Sequence, residues 1–78
     1  MSNSVSNELT AVKNLVNKGK FEEALQLTKD IEQKQNLTHE ELLRSMVYRG
    51  FSHFYLGQFE KALKLAEIIY QKSQELKV

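Results

Sequence analysis

The chain has no cysteine, no proline and only three glycines. Without cysteine, disulfides and thiolate zinc sites are excluded, so the usual staples of a small fold are missing. Absence of cysteine is also compatible with the cytosol. An excess of one charge is lacking too. Eleven basic and ten acidic residues are interspersed, for a net charge of +1. No basic block marks a nucleic-acid or membrane surface. No apolar run approaches the roughly 20 residues that a membrane span needs. The start, M-S-N-S-V-S-N-E, has neither leading basic residues nor an apolar core, so it does not read as a signal peptide. Nothing alternates with period two for long enough to argue for a strand. These absences predict a soluble, cytoplasmic, all-α protein. Its 41% hydrophobic and 27% charged residues suit a folded helical chain rather than a disordered one.

The 78 residues are room for one small domain, over 1–78. A chain of this size buries only about 60% of its unfolded surface, so its stability margin is thin. Four helical patterns fill it. Leu9, Val12, Leu15 and Val16 predict a first helix over about Ser6 to Lys18, stopped by Gly19. Phe21, Ala24, Leu25, Thr28 and Ile31 predict a second, over about Phe21 to Gln35, with Glu22 and Glu23 at the positive end of its dipole and Lys34 near the negative end. Leu37-Thr38-His39-Glu40-Glu41-Leu42 is a capping box, with Leu37 and Leu42 as its staple. A third helix follows Thr38 and ends near Leu56, before Gly57. The fourth runs from about Phe59 to near Leu76.

Residues 19–25 read G-K-F-E-E-A-L, and 38 residues later 57–63 read G-Q-F-E-K-A-L. The wider match, Leu15–Ile31 against His53–Ile69, has seven identities in 17. Each has a physical reason. Gly19 and Gly57 permit a tight reversal. Phe21 and Phe59 plug the start of the following helix. Ala24 and Ala62 let backbones approach, and Leu25/Leu63, Leu27/Leu65 and Ile31/Ile69 fill the seam. The unit is a helical hairpin written twice, at about 6–36 and 38–77.

This hairpin resembles the second half of the tetratricopeptide repeat (TPR). Gly50, twelve residues before Ala62, fits the small residue usual in that family's first helix. The chain departs in three ways. Its period is 38 against about 34 in the family. His53 stands where tyrosine is common, and the proline often seen after the second helix is absent. The resemblance implies two antiparallel hairpins stacked as a short α-solenoid segment. It also implies a peptide-binding face on the first helix of each repeat. Arg44, Tyr48, Phe51 and Tyr55 form one stripe by their spacing, and the 38-residue shift carries it to Ser6, Thr10, Lys13 and Asn17. The matching groove residues are therefore Thr10, Lys13, Asn17, Arg44, Tyr48, Phe51 and Tyr55. Tyrosine and arginine suit such a role because they combine apolar area with directed hydrogen bonds. The bland alternative makes Phe51 core and the tyrosines an exposed shoulder. The family also has a clamp for C-terminal carboxylates. Leu9 and Lys13 occupy its lysine and asparagine positions in the first repeat, so that specificity is not expected.

Repeats bury their faces against neighbours, and three or more are usual. Two readings follow: a fragment of a longer array, or an edge covered by self-association. The third helix is apolar on most sides, with Ser45, Arg49 and Ser52 as a narrow polar wedge, so burial from several directions is expected. On the fourth helix, Phe59, Leu63, Ala66 and Tyr70 are expected to face the third. Leu65, Ile69 and Leu76 lie at the edge and Ile68 outside it. These four are the candidates for a homodimer contact.

Little points to chemistry. His39 and His53 lie fourteen residues apart with no metal-ligand spacing, and no metal or other cofactor is expected. Glu22-Glu23 and Glu40-Glu41 sit in first helical turns, where the dipole explains them. The glycines form no phosphate loop, and the serines have no visible base. We expect a protein- or peptide-binding module and not an enzyme. Self-assembly is the alternative. Single-stranded nucleic-acid binding through Tyr48, Phe51, Tyr55, Arg44 and Lys13 is weaker, because pI near 8 brings no basic stripe.

Overall fold

The computed structural model describes residues 2–76, with side chains over 5–75. Four helices follow in order: α1 Ser2–Asn17, α2 Phe21–Glu32, α3 His39–Tyr55 and α4 Phe59–Leu76. Among the described residues there is no strand. The fold is all-α, and α1 with α2, then α3 with α4, make two helical hairpins that pack on one another. The α3 helix lies across both α1 and α2 as well as against α4.

The two hairpin turns are built alike. Gly19 and Gly57 take φ of 78° and 80°. Gly19 N–H donates to Val16 O at 3.0 Å and Lys20 N–H to Leu15 O at 2.9 Å. Gly57 N–H donates to Phe54 O at 3.0 Å and Gln58 N–H to His53 O at 2.8 Å. This paired bonding is the Schellman closure, which satisfies the last carbonyls of the helix. The same residues start the next helix, since Lys20 O and Gln58 O accept from Ala24 and Ala62. A Cβ at either glycine would meet no atom within 4 Å. The cost of Gly57→Ala is therefore backbone strain alone, about 1–2 kcal/mol. A lower urea midpoint with an unchanged slope is the expected result.

Between the hairpins, α3 starts as its sequence requires. Thr38 Oγ1 accepts from Glu41 N–H at 3.0 Å, and Glu41 Oε1 accepts from Thr38 N–H at 3.0 Å. Other boundaries differ from expectation. The α1 helix begins four residues earlier, where Val5 extends the Leu9, Val12 stripe and packs against the core. The α2 helix stops at Glu32 rather than Gln35. Asn36 then turns the chain at φ 68°, a conformation that asparagine tolerates better than most residues. Lys34 is thus beyond the helix, and its Nζ lies 3.3 Å from Glu8 Oε1 on α1.

The core of the first hairpin is Leu9, Val12, Ala24 and Ile31, all fully buried, with Leu37 and Tyr48 packed against it. The α3 helix is rotated relative to the expectation. Its polar wedge faces inward: Ser45 and Ser52 are fully buried, whereas Phe51, Phe54 and Tyr55 are at least half exposed. Small hydroxyl residues let two helices approach and can satisfy themselves locally. Ser52 Oγ donates to Tyr48 O at 2.9 Å. Ser45 Oγ donates to Glu32 Oε2 at 2.8 Å, and Arg49 donates to both carboxylate oxygens of Glu32, Nε at 3.1 Å and Nη2 at 2.9 Å. One acid on α2 thus receives three donors from α3 and ties the hairpins together.

Candidate functional site

Gly50 and Leu65 set the approach of α4 to α3. Leu65 is only 4% exposed, and a Cβ on Gly50 would lie 3.7 Å from Leu65 Cδ2. The missing side chain leaves room that Leu65 fills. Leu65 is therefore core and cannot serve the surface contact expected of it. Phe59, Leu63 and Tyr70, expected to face α3, are 60–65% exposed instead. Ile69 is half-buried, and Ile68 is exposed on another flank of α4. The side chain of Leu76 lies outside the described residues.

With Leu65 as hinge, α3 and α4 diverge into an open groove of about 630 Å³. Val47, Gly50, Phe51, Phe54 and Tyr55 line one wall; Phe59, Ala62, Leu63, Ala66 and Ile69 line the other. None of these ten residues is charged. Aromatic contacts organise the end beside the α3–α4 turn. Phe54 meets Tyr55 and Phe59 edge-on, at centroid distances of 5.5 and 5.4 Å. Tyr55 also stacks on Phe21 of the first hairpin at 5.1 Å and 13°. Edge-on and stacked pairs of this kind hold rings at defined angles.

The seven residues of the expected binding face are distributed differently. Thr10, Lys13, Asn17 and Arg44 are exposed. Thr10 Oγ1 donates to Ser6 O at 3.1 Å, a bond within its own helix. Tyr48 packs against the first hairpin's core, so most of its ring is committed. Only Phe51 and Tyr55 enter the groove. Of the α4 wall only Ile69 was an expected contact, as part of a homodimer surface; Val47 and Phe54 were not expected. A signal was nonetheless present in the 38-residue period. Val47, Gly50, Ala62, Ala66 and Ile69 are the period-shifted counterparts of Leu9, Val12, Ala24, Thr28 and Ile31. All five of those first-hairpin residues are fully buried. Half of the groove is thus the surface that becomes core in the first hairpin, where α3 lies over it, whereas Phe51 and Tyr55 stand where Lys13 and Asn17 are exposed there.

Two further positions change character. Thr28 becomes Ala66, and Glu32 becomes Tyr70. The acid that receives Ser45 and Arg49 has no counterpart on α4, so the second groove is the more apolar of the two. Groups for acid–base or metal chemistry are scattered. His39 is exposed, and His53 Nδ1 lies 2.7 Å from Gln58 Oε1. Among the described residues no three His, Asp or Glu side chains gather as a metal site. No helix there is long and apolar enough to cross a membrane. Comparison with family models, with curated proteins and with solved structures finds no match to this chain.

Proposed function

We propose that this chain is a protein–protein interaction module of tetratricopeptide type, with the groove between α3 and α4 as its working surface. One observation carries the reading. Five of the ten groove residues repeat a surface that is buried in the first hairpin, where α3 lies over it. A surface so shaped fits an apolar helical face, the helix-in-groove mode of recognition. Phe51 and Tyr55 are the shared part of this surface and the family's binding face. The polar positions Thr10, Lys13 and Asn17 fall outside it. The role is binding, in the cytoplasm, without a catalytic step, metal or cofactor.

Titrating the isotope-labelled chain with a designed amphipathic helical peptide, leucines at i, i+3, i+4 and i+7, tests this. Saturable NMR shifts are expected at Val47, Phe51, Ala62 and Ala66, with Thr10 and Lys13 unmoved. Shifts confined to α1, or none at millimolar peptide, would overturn the assignment.

A further inference from the structure

We propose that the groove's occupant is the same groove of a second copy, giving a two-fold homodimer in which α3 of each chain packs on α4 of the other. The proposal rests on the reading of the α3–α4 face as an interaction surface, and it names the partner.

The first reason is where exposed apolar area lies. Among the described residues, every exposed large hydrophobic side chain belongs to α3 or α4. The outward positions of α1 are Thr10, Lys13, Asn14 and Asn17, all exposed and polar. Head-to-tail stacking, with α1 of one copy entering the groove of the next as α3 enters the first hairpin, would set the amides of Asn7 and Asn14 against an uncharged wall. That burial is unfavourable. An isologous pairing, groove on groove, brings apolar surface to both sides and closes at two.

The second reason is size. Phe51, Phe54, Tyr55, Phe59 and Tyr70 are 50–65% exposed. At about 150–250 Å² a ring, they leave roughly 600 Å² uncovered. Val47 and Leu63 bring this toward the ~800 Å² per partner of a standard interface. An interface of that size sustains a stable dimer, and exposed apolar area of several hundred Å² on one face marks an interaction site.

The third reason is the rim. Arg44 lies three and seven residues before Val47 and Phe51, on the same face of α3. Glu67 flanks the groove beside Tyr70 on α4. Counted from the α3–α4 turn, both sit at a similar level, about 12–17 Å along their helices at 1.5 Å per residue. A two-fold axis running along the helices sets each Arg44 near Glu67 of the partner subunit, twice.

The α3 helix of a second copy cannot enter as it does within the chain. Its inward face carries Ser45 and Arg49, and the groove offers Tyr70 where the Glu32 carboxylate receives both. What remains free on that helix is the Val47, Phe51, Phe54 face, which is the face the dimer uses.

Sedimentation velocity across the micromolar range tests the proposal. Twice the chain mass is expected. Leu63 is 64% exposed, so Leu63→Lys leaves the fold, checked by helical circular dichroism, intact. Because the substitution enters both subunits, it raises the dissociation constant by about 100-fold or more. Added amphipathic peptide splits the wild-type dimer. Three outcomes overturn the proposal: a wild-type monomer throughout, an open series of larger species, or a dimer that survives Leu63→Lys. A monomer whose groove still binds the peptide would refute the self-partner and leave the module reading standing. A monomer that ignores the peptide would refute both.

Discussion

Alanine at Leu65 lowers stability by about 3 kcal/mol, whereas alanine at Leu63, two residues away, changes it by less than about 0.5 kcal/mol. The two leucines differ in surroundings, not in chemistry. Leu65 is 4% exposed and closes over the gap left at Gly50, and Leu63 is 64% exposed in the groove. Truncating Leu65 removes transfer free energy and leaves a cavity beside a backbone that has no side chain with which to fill it. For a chain of this length total stability is roughly 4–12 kcal/mol, so the loss is a large share. The melting temperature should fall by about 12–24 °C. Urea unfolding of both variants, each diluted to the monomer, provides the measurement. Equal effects, or a larger one at Leu63, would mean that α4 is rotated from its described position.

That rotation is also where sequence reasoning ran short. Local signals survived intact. Thr38 with Glu41, and glycines 38 residues apart, dictate bonds between neighbours in the chain, and nothing distant competes with them. The end of α2 is subtler, because Lys34 answers to Glu8 on another helix and not to the dipole of its own. The orientation of α3 was hidden for a different reason. With apolar residues on most sides and only a narrow polar wedge, its wheel has no unique inward direction. Ser45, Arg49 and Ser52 face inward because Glu32, thirteen or more residues away, accepts from two of them and Ser52 bonds its own helix. Of the ten groove residues, the binding-face reading named Phe51 and Tyr55. On the α4 wall, Phe59, Leu63 and Ala66 were expected to face α3, as they do across the groove, but closed against it rather than open to solvent.

Alanine at Glu32 destabilises the chain by about 2–3 kcal/mol, through donors left without an acceptor. Ser45 is fully buried, and its remaining acceptor, Thr28 O, lies at 3.5 Å. The Arg49 side chain, 27% exposed, keeps its charge beside the emptied site. Glutamine at the same position retains an acceptor oxygen but loses charge assistance, so about 1 kcal/mol is expected. The decisive variant removes both ends of the ion pair. Glu32→Leu with Arg49→Leu takes away the charges and keeps apolar volume, and such paired replacements are often neutral or stabilising. Urea midpoints of Glu32→Leu, Arg49→Leu and the double variant close a thermodynamic cycle. The double variant should be more stable than Glu32→Ala alone. Additive losses would mean that Glu32 and Arg49 act separately, and that the hairpins are held by apolar contact without the clamp. The same cycle explains why the second hairpin differs from the first. With Tyr70 in place of the acid, α4 has no carboxylate where α2 holds Arg49.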